Sequence, residues 1–114
     1  MPDRLGDKVR LQHILEAILE IENYVESVGI DTFTTNSMMF NATVRQLEII
    51  GEAANRLSEQ VQTENKSIPW RQIIGLRNMV IHEYFGIDKI LVWNVIKQNL
   101  PDLKIKISLI IDTL

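Results

Sequence analysis

The stretch that most constrains this chain runs from about Met38 to Thr63. Phe40, Val44, Leu47, Ile50, Ala54, Leu57 and Val61 recur at threes and fours, the spacing of one helix face. A helix of that length is long for a globular protein and cannot stand alone with an apolar stripe exposed. It must pair with another long helix, within the chain or across an oligomer interface. Gly51, Ala53 and Ala54 lie in its middle. Residues this small let a second helix approach closely.

A partner precedes it. From Asp7 to Val28, the residues Val9, Leu11, Ile14, Leu15, Ile18, Ile21, Val25 and Val28 follow the same period, with Glu16, Glu20, Glu22 and Glu26 between them as a solvated face. Gly29 is placed to close this first helix. The Thr-rich segment Ile30–Asn36 reads as a link, anchored in the core by Phe33, and Asn36 or Ser37 can cap the second helix. Pro69 suits the first turn of a third helix, carried by Trp70, Ile73, Ile74, Met79 and Val80 and ended by Gly86. Asp88 is a fitting N-cap for a fourth helix through about Asn99, and Pro101 and Asp102 open a last one from Leu103 to about Thr113. The tail KIKIS alternates as a strand would, but its flanks favour helix. Residues 1–114 are therefore expected to form a single domain, an all-α bundle of four to five helices.

Composition excludes several classes. The apolar share is 46% and the charged share 24%, ordinary values for a folded domain. Cysteine is absent, which removes disulfides and thiolate chemistry and fits a cytoplasmic location. The polar start MPDRLGDKVR lacks an apolar export segment, and no apolar run is long enough to span a bilayer. The net charge of −3 argues against a surface that coats nucleic acid. It is unevenly spread, however. Residues 1–65 hold 5 basic and 11 acidic side chains, whereas residues 66–114 hold 7 basic and 4 acidic. A local anion site in the second half is compatible with that count.

That half contains Arg77, Asn78, His82, Glu83 and Tyr84 within eight residues. On a continuous helix Asn78 and His82 share a face. Arg77 lies about 140° from His82, within reach of its long stem, and Tyr84 joins them only if the helix loosens before Gly86. A histidine can take a proton from a ribose 2′-hydroxyl or return one to a leaving 5′-oxygen. An arginine fork binds phosphate and stabilises charge that builds on it. Asparagine can orient either group. The motif has no carboxylate pair of the kind a two-metal nuclease uses, so no metal and no cofactor is expected. One motif histidine per chain falls short of the base and acid that cleavage needs, and a homodimer would supply two. The plainer readings stand beside these. Arg77 can pair with Glu83 or Asp88 at the surface, Glu52 can face a cleft or only solvent, His13 on the first helix is a surface or interface residue, and Trp70 and Trp93 are core anchors.

The run Arg77-Asn78-x3-His82-x-Tyr84, with GEAANRLSEQ at 51–60 and IPWRQIIGLRN at 68–78, resembles the HEPN superfamily and within it the HepT-like branch. The likeness covers nearly the whole chain. It implies a HEPN-like helical homodimer whose motif lines a cleft, acting as a metal-independent endoribonuclease toxin of a type II/VII-like toxin–antitoxin pair. Arg77 and His82 would be catalytic, Asn78 supporting, and Glu52 a candidate cleft residue. The implied partners are RNA and an MntA-type nucleotidyltransferase antitoxin, in a homodimer or a larger hetero-oligomer, with no membrane. The antitoxin would act by adding AMP to Tyr84. The other function compatible with the resemblance is a catalytically silent subunit that binds substrate or nucleotide for a minimal nucleotidyltransferase.

Overall fold

The computed structural model describes residues 4–78 and 88–114. Among these, every regular element is helical. The elements are α1 (Arg4–Tyr24), α2 (Ile30–Thr35), α3 (Ser37–Asn55), α4 (Glu59–Glu64), α5 (Trp70–Gly75) with a 3-10 turn over Leu76–Asn78, α6 (Lys89–Asn94), a π turn over Val95–Asn99, and α7 (Leu100–Thr113). No helix among the described residues is long and apolar enough to cross a membrane. The expected end of the third helix at Gly86 lies outside the described residues.

The two long helices pair as their stripes require. Leu11, Ile14, Ile18 and Ile21 of α1 and Leu47 and Ile50 of α3 have no exposed surface. Each such side chain stabilises the fold by about 1.5–3 kcal/mol relative to exposure. The helices run antiparallel. Asp7 near the start of α1 meets Ser58 just beyond α3, and the Tyr24 hydroxyl at the end of α1 accepts from Gln46 Nε2 at the middle of α3. Helix α7 closes the core with Ile107, and Lys104 Nζ on α7 reaches Glu22 Oε1 on α1 at 2.9 Å.

Several boundaries differ from the reading of the sequence. Gly29 does not close α1. Its φ is −92° and it precedes α2, so the supposed link Ile30–Asn36 is itself mostly helix. The left-handed residue after α1 is Ser27, at φ 60°. An L side chain there costs about 1–2 kcal/mol, and glycine relieves that at an entropic cost of about 0.5–1 kcal/mol. Ser27→Gly is therefore expected to stabilise the fold by up to about 1 kcal/mol, read as a higher urea midpoint at unchanged slope.

The long second helix is broken at Arg56–Ser58. Ser58 restarts it as α4, its side chain accepting from Val61 N, and it is held there by Asp7. The two expected C-terminal helices are instead continuous through the π turn. Leu100 N donates to Val95 O, five residues back. Pro101 has no N–H to give and its ring crowds the carbonyl four residues before it. A π turn on its N-terminal side accommodates both. Asn36 and Asp88 cap as expected, the first accepting from Met39 N and the second from Ile90 N and Leu91 N. Phe33 is fully buried, edge-on to Phe40 and tilted against Trp93.

Candidate functional site

The packing of α5 against α3 sets the position of the motif's first two residues. Trp70 is nearly buried and its Nε1 donates to Asn65 O, which fixes the start of α5. After Gly75 the chain tightens into the 3-10 turn, and Leu76 N donates to both Ile73 O and Ile74 O. This turn lies flush on Gly51 of α3. A Cβ at Gly51 would stand 2.6 Å from Arg77 N and 3.0 Å from the carbonyl oxygens of Ile73 and Ile74. The glycine expected to permit a close approach is thus directly beneath the backbone of Arg77.

Arg77 and Asn78 consequently belong to a 3-10 turn rather than to the middle of one long α-helix. Successive residues of a 3-10 turn are rotated by about 120°, against about 100° in an α-helix. His82, Glu83 and Tyr84 lie outside the described residues.

Arg77 is half-buried and Asn78 exposed. Arg77 Nη1 lies 3.7 Å from Glu52 Oε2, whereas no ion pair joins it to Asp88 among the described residues, and the pair with Glu83 lies outside them. Asp88 is instead engaged as the cap of α6. The other oxygen of Glu52 accepts from Arg56 Nε at 3.3 Å. One carboxylate therefore sits between two guanidinium groups. All three are partly solvated, so the pairs are weak, worth about 0–1 kcal/mol each.

These side chains border a cleft of about 1210 Å³ between α1, α3 and the 3-10 turn. Among the described residues its walls bring together Arg77, Asn78, Glu52 and Arg56 with Arg45, Glu48, Arg10 and His13, over an apolar floor of Leu5, Val9, Ile49 and Ala53. Glu52 thus faces the cleft. His13 and Arg10 belong to it as well, which their distance along the chain from the motif concealed. They stand three residues apart on α1, and the antiparallel pairing of α1 with α3 carries them to the level of Glu52. The described residues contain no group of three or more His, Cys, Asp or Glu that could hold a metal ion. What the arrangement offers is anion binding, an arginine-rich cleft with one guanidinium carried at its edge by the turn that packs on Gly51.

Comparison with known proteins points the same way. The profile of the family described as Ribonuclease HepT-like matches residues 14–110. A protein of Methanocaldococcus jannaschii named "Putative RNase MJ1380" is 35% identical over 103 residues, covering 90% of this chain and 94% of that one. A Thermococcus cleftensis protein named "Probable ribonuclease HepT" is 35% identical over 94 residues, or 82% of this chain and 86% of its own. No solved structure shows significant similarity.

Proposed function

This chain belongs to the ribonuclease HepT-like family, and on that premise we propose that it is a metal-independent endoribonuclease, the toxin of a cytoplasmic toxin–antitoxin pair. The observation that carries the reading is Arg77. It is set on a turn packed against Gly51 at the rim of an arginine-rich cleft, beside Asn78, in a motif that continues to His82 and Tyr84. In the reaction the ribose 2′-oxygen attacks the adjacent phosphorus and the P–O5′ bond breaks, leaving a cyclic phosphate and a 5′-hydroxyl. One group takes the 2′-proton and another returns a proton to the 5′-oxygen. Arg77 neutralises the charge that builds on the phosphoryl oxygens, and Asn78 orients the phosphate. His82 is the proton-transfer group. Because each step needs its own partner, two copies of the chain contribute one His82 each, and the active species is a homodimer. Glu52 holds Arg77 until a phosphate takes its place. A nucleotidyltransferase of the MntA type neutralises the toxin by transferring AMP from ATP to the Tyr84 hydroxyl, which gives up its proton as the bond to the departing pyrophosphate breaks.

The test is cleavage of RNA by purified protein in excess EDTA. Wild type is expected to cut, and His82→Ala and Arg77→Ala are expected to lose activity. Undiminished cutting by His82→Ala overturns the assignment. No cutting by wild type, with a stable nucleotidyltransferase complex, selects the catalytically silent binding subunit instead. Co-expression with the nucleotidyltransferase is expected to give an AMP adduct in the intact mass, lost in Tyr84→Phe.

A further inference from the structure

The cleft holds more positive charge than one reacting phosphate requires. Arg10, Arg45, Arg56 and Arg77 line it against Glu48 and Glu52, in a chain whose formal net charge is −3. Arg77 has a role in the reading above; the other three do not. Their placement is regular. Arg45, Glu48, Glu52 and Arg56 follow one another at three, four and four residues, so they form one stripe along α3. Its two end arginines stand roughly 16 Å apart along the axis, at about 1.5 Å per residue. The turn bearing Arg77 rests against the middle of that stripe at Gly51. Arg10 faces the same cleft from α1, near the Arg56 end, because the Asp7–Ser58 bonds fix the antiparallel register.

Cations thus occupy both ends of the cleft and its middle, and they are readily released. The Arg45–Glu48 pair at 3.4 Å is open to water, with the arginine side chain 66% exposed, and the Arg56–Glu52 pair is similar. Exposed pairs of this kind are worth little, so a phosphate can displace the glutamate. Arg10 makes no ion pair or side-chain hydrogen bond among the described residues. Between the charges the floor is apolar, with Leu5 75% and Val9 40% exposed. Such a floor can cover the face of an unstacked base, which a duplex keeps inside its own stack.

We propose that the α1–α3 wall of the cleft is a track for single-stranded RNA, with Arg45 at one end and Arg56 and Arg10 at the other binding the phosphates that flank the one at Arg77. The proposal rests on the ribonuclease reading for the nature of the ligand. It is tested apart from cleavage, in full-length His82→Ala protein, by fluorescence anisotropy of a short labelled oligouridylate titrated across about 50–200 mM salt. For single strands each phosphate contact contributes about 0.7 to the slope of log K against log salt. Replacing Arg10, Arg45 and Arg56 together by glutamine should lower the slope by about 2, and Arg10→Gln alone by about 0.7. Lys66→Gln, exposed and outside the cleft, should leave it unchanged.

An unaltered slope in the triple variant overturns the track, as does an equal effect from Lys66→Gln. Tighter binding of a duplex of the same length overturns the single-strand assignment. An arginine-dependent slope in a protein whose wild type cuts no RNA would support the track while removing the nuclease reading, so the two fail separately. All three arginines are surface residues, and a matching urea midpoint for the triple variant confirms that folding is unaffected.

Discussion

Gly51→Ala is expected to lower stability by about 1–2 kcal/mol and RNA cleavage by on the order of 100-fold, although alanine is the better helix former. Two effects compete. Removing a mid-helix glycine gains about 0.8–1 kcal/mol of propensity. Against it, the new methyl would meet Arg77 N at 2.6 Å and the carbonyls of Ile73 and Ile74 at 3.0 Å. Those atoms are backbone, so no side chain can rotate out of the way. Overpacking of this kind costs about 1–3 kcal/mol and relaxes only by moving the opposing element. The opposing element is the 3-10 turn that carries Arg77. A shift of about 1 Å at a phosphate clamp is enough to cost about 100-fold in rate. Gly75 supplies the control. It lies at the end of α5, and a methyl added there would have nothing within 4 Å, so Gly75→Ala should gain up to about 1 kcal/mol. Opposite signs for the two glycines, read by urea denaturation and by kcat/KM, would establish that contact rather than propensity governs Gly51. If Gly51→Ala instead stabilised the protein and left cleavage unchanged, Arg77 would not be positioned from beneath.

Much of this was readable from side-chain periodicity. The stripes of α1 and α3, the caps Asn36 and Asp88, the anchor Phe33 and the small surface at Gly51 each depend on interactions within a few residues or on one apolar face. What escaped the sequence depends on contacts between distant segments. The apolar stripe runs unbroken through Leu57 and Val61, so the stop at Ser58 is invisible in it; the break is held by Asp7, fifty-one residues away. The left-handed turn after α1 fell to Ser27, two residues before the glycine that would have signalled it. At the site, the compact motif marked Arg77 and Asn78, but the third helix tightens at Gly75 and changes their angular relation. Arg10 and His13 carry no local signature. They join the site only because α1 pairs antiparallel with α3, and the same Asp7 contact fixes that register.

Asp7→Ala is accordingly expected to cost about 3 kcal/mol, a large effect for one residue near a chain terminus. The carboxylate is 1% exposed. Its Oδ1 accepts from Ser58 N at 2.8 Å and its Oδ2 from Ser58 Oγ at 2.6 Å. Hydrogen bonds to a charged acceptor are worth about 1.5–3 kcal/mol each, and removing the acceptor leaves a partly buried N–H without its partner. Asp7 also stands in the first turn of α1, where the helix dipole favours negative charge. Ser58→Ala should cost less, about 1–2 kcal/mol, because it removes the cap on Val61 N and one of the two Asp7 bonds but keeps the other. The double variant should then fall short of the sum by about 0.5–3 kcal/mol, since both substitutions remove the same contact. Strict additivity would mean that the two residues do not act as one staple. Cleft function offers a second readout. Gly6, Val9 and Arg10 flank Asp7 on the wall of the cleft. Once the first turns of α1 are no longer held at the α3–α4 junction, Arg10 loses its register with Arg56. Asp7→Ala should therefore weaken binding of oligouridylate even under conditions where the protein remains folded, whereas Ser27→Gly, at the far end of α1, should not.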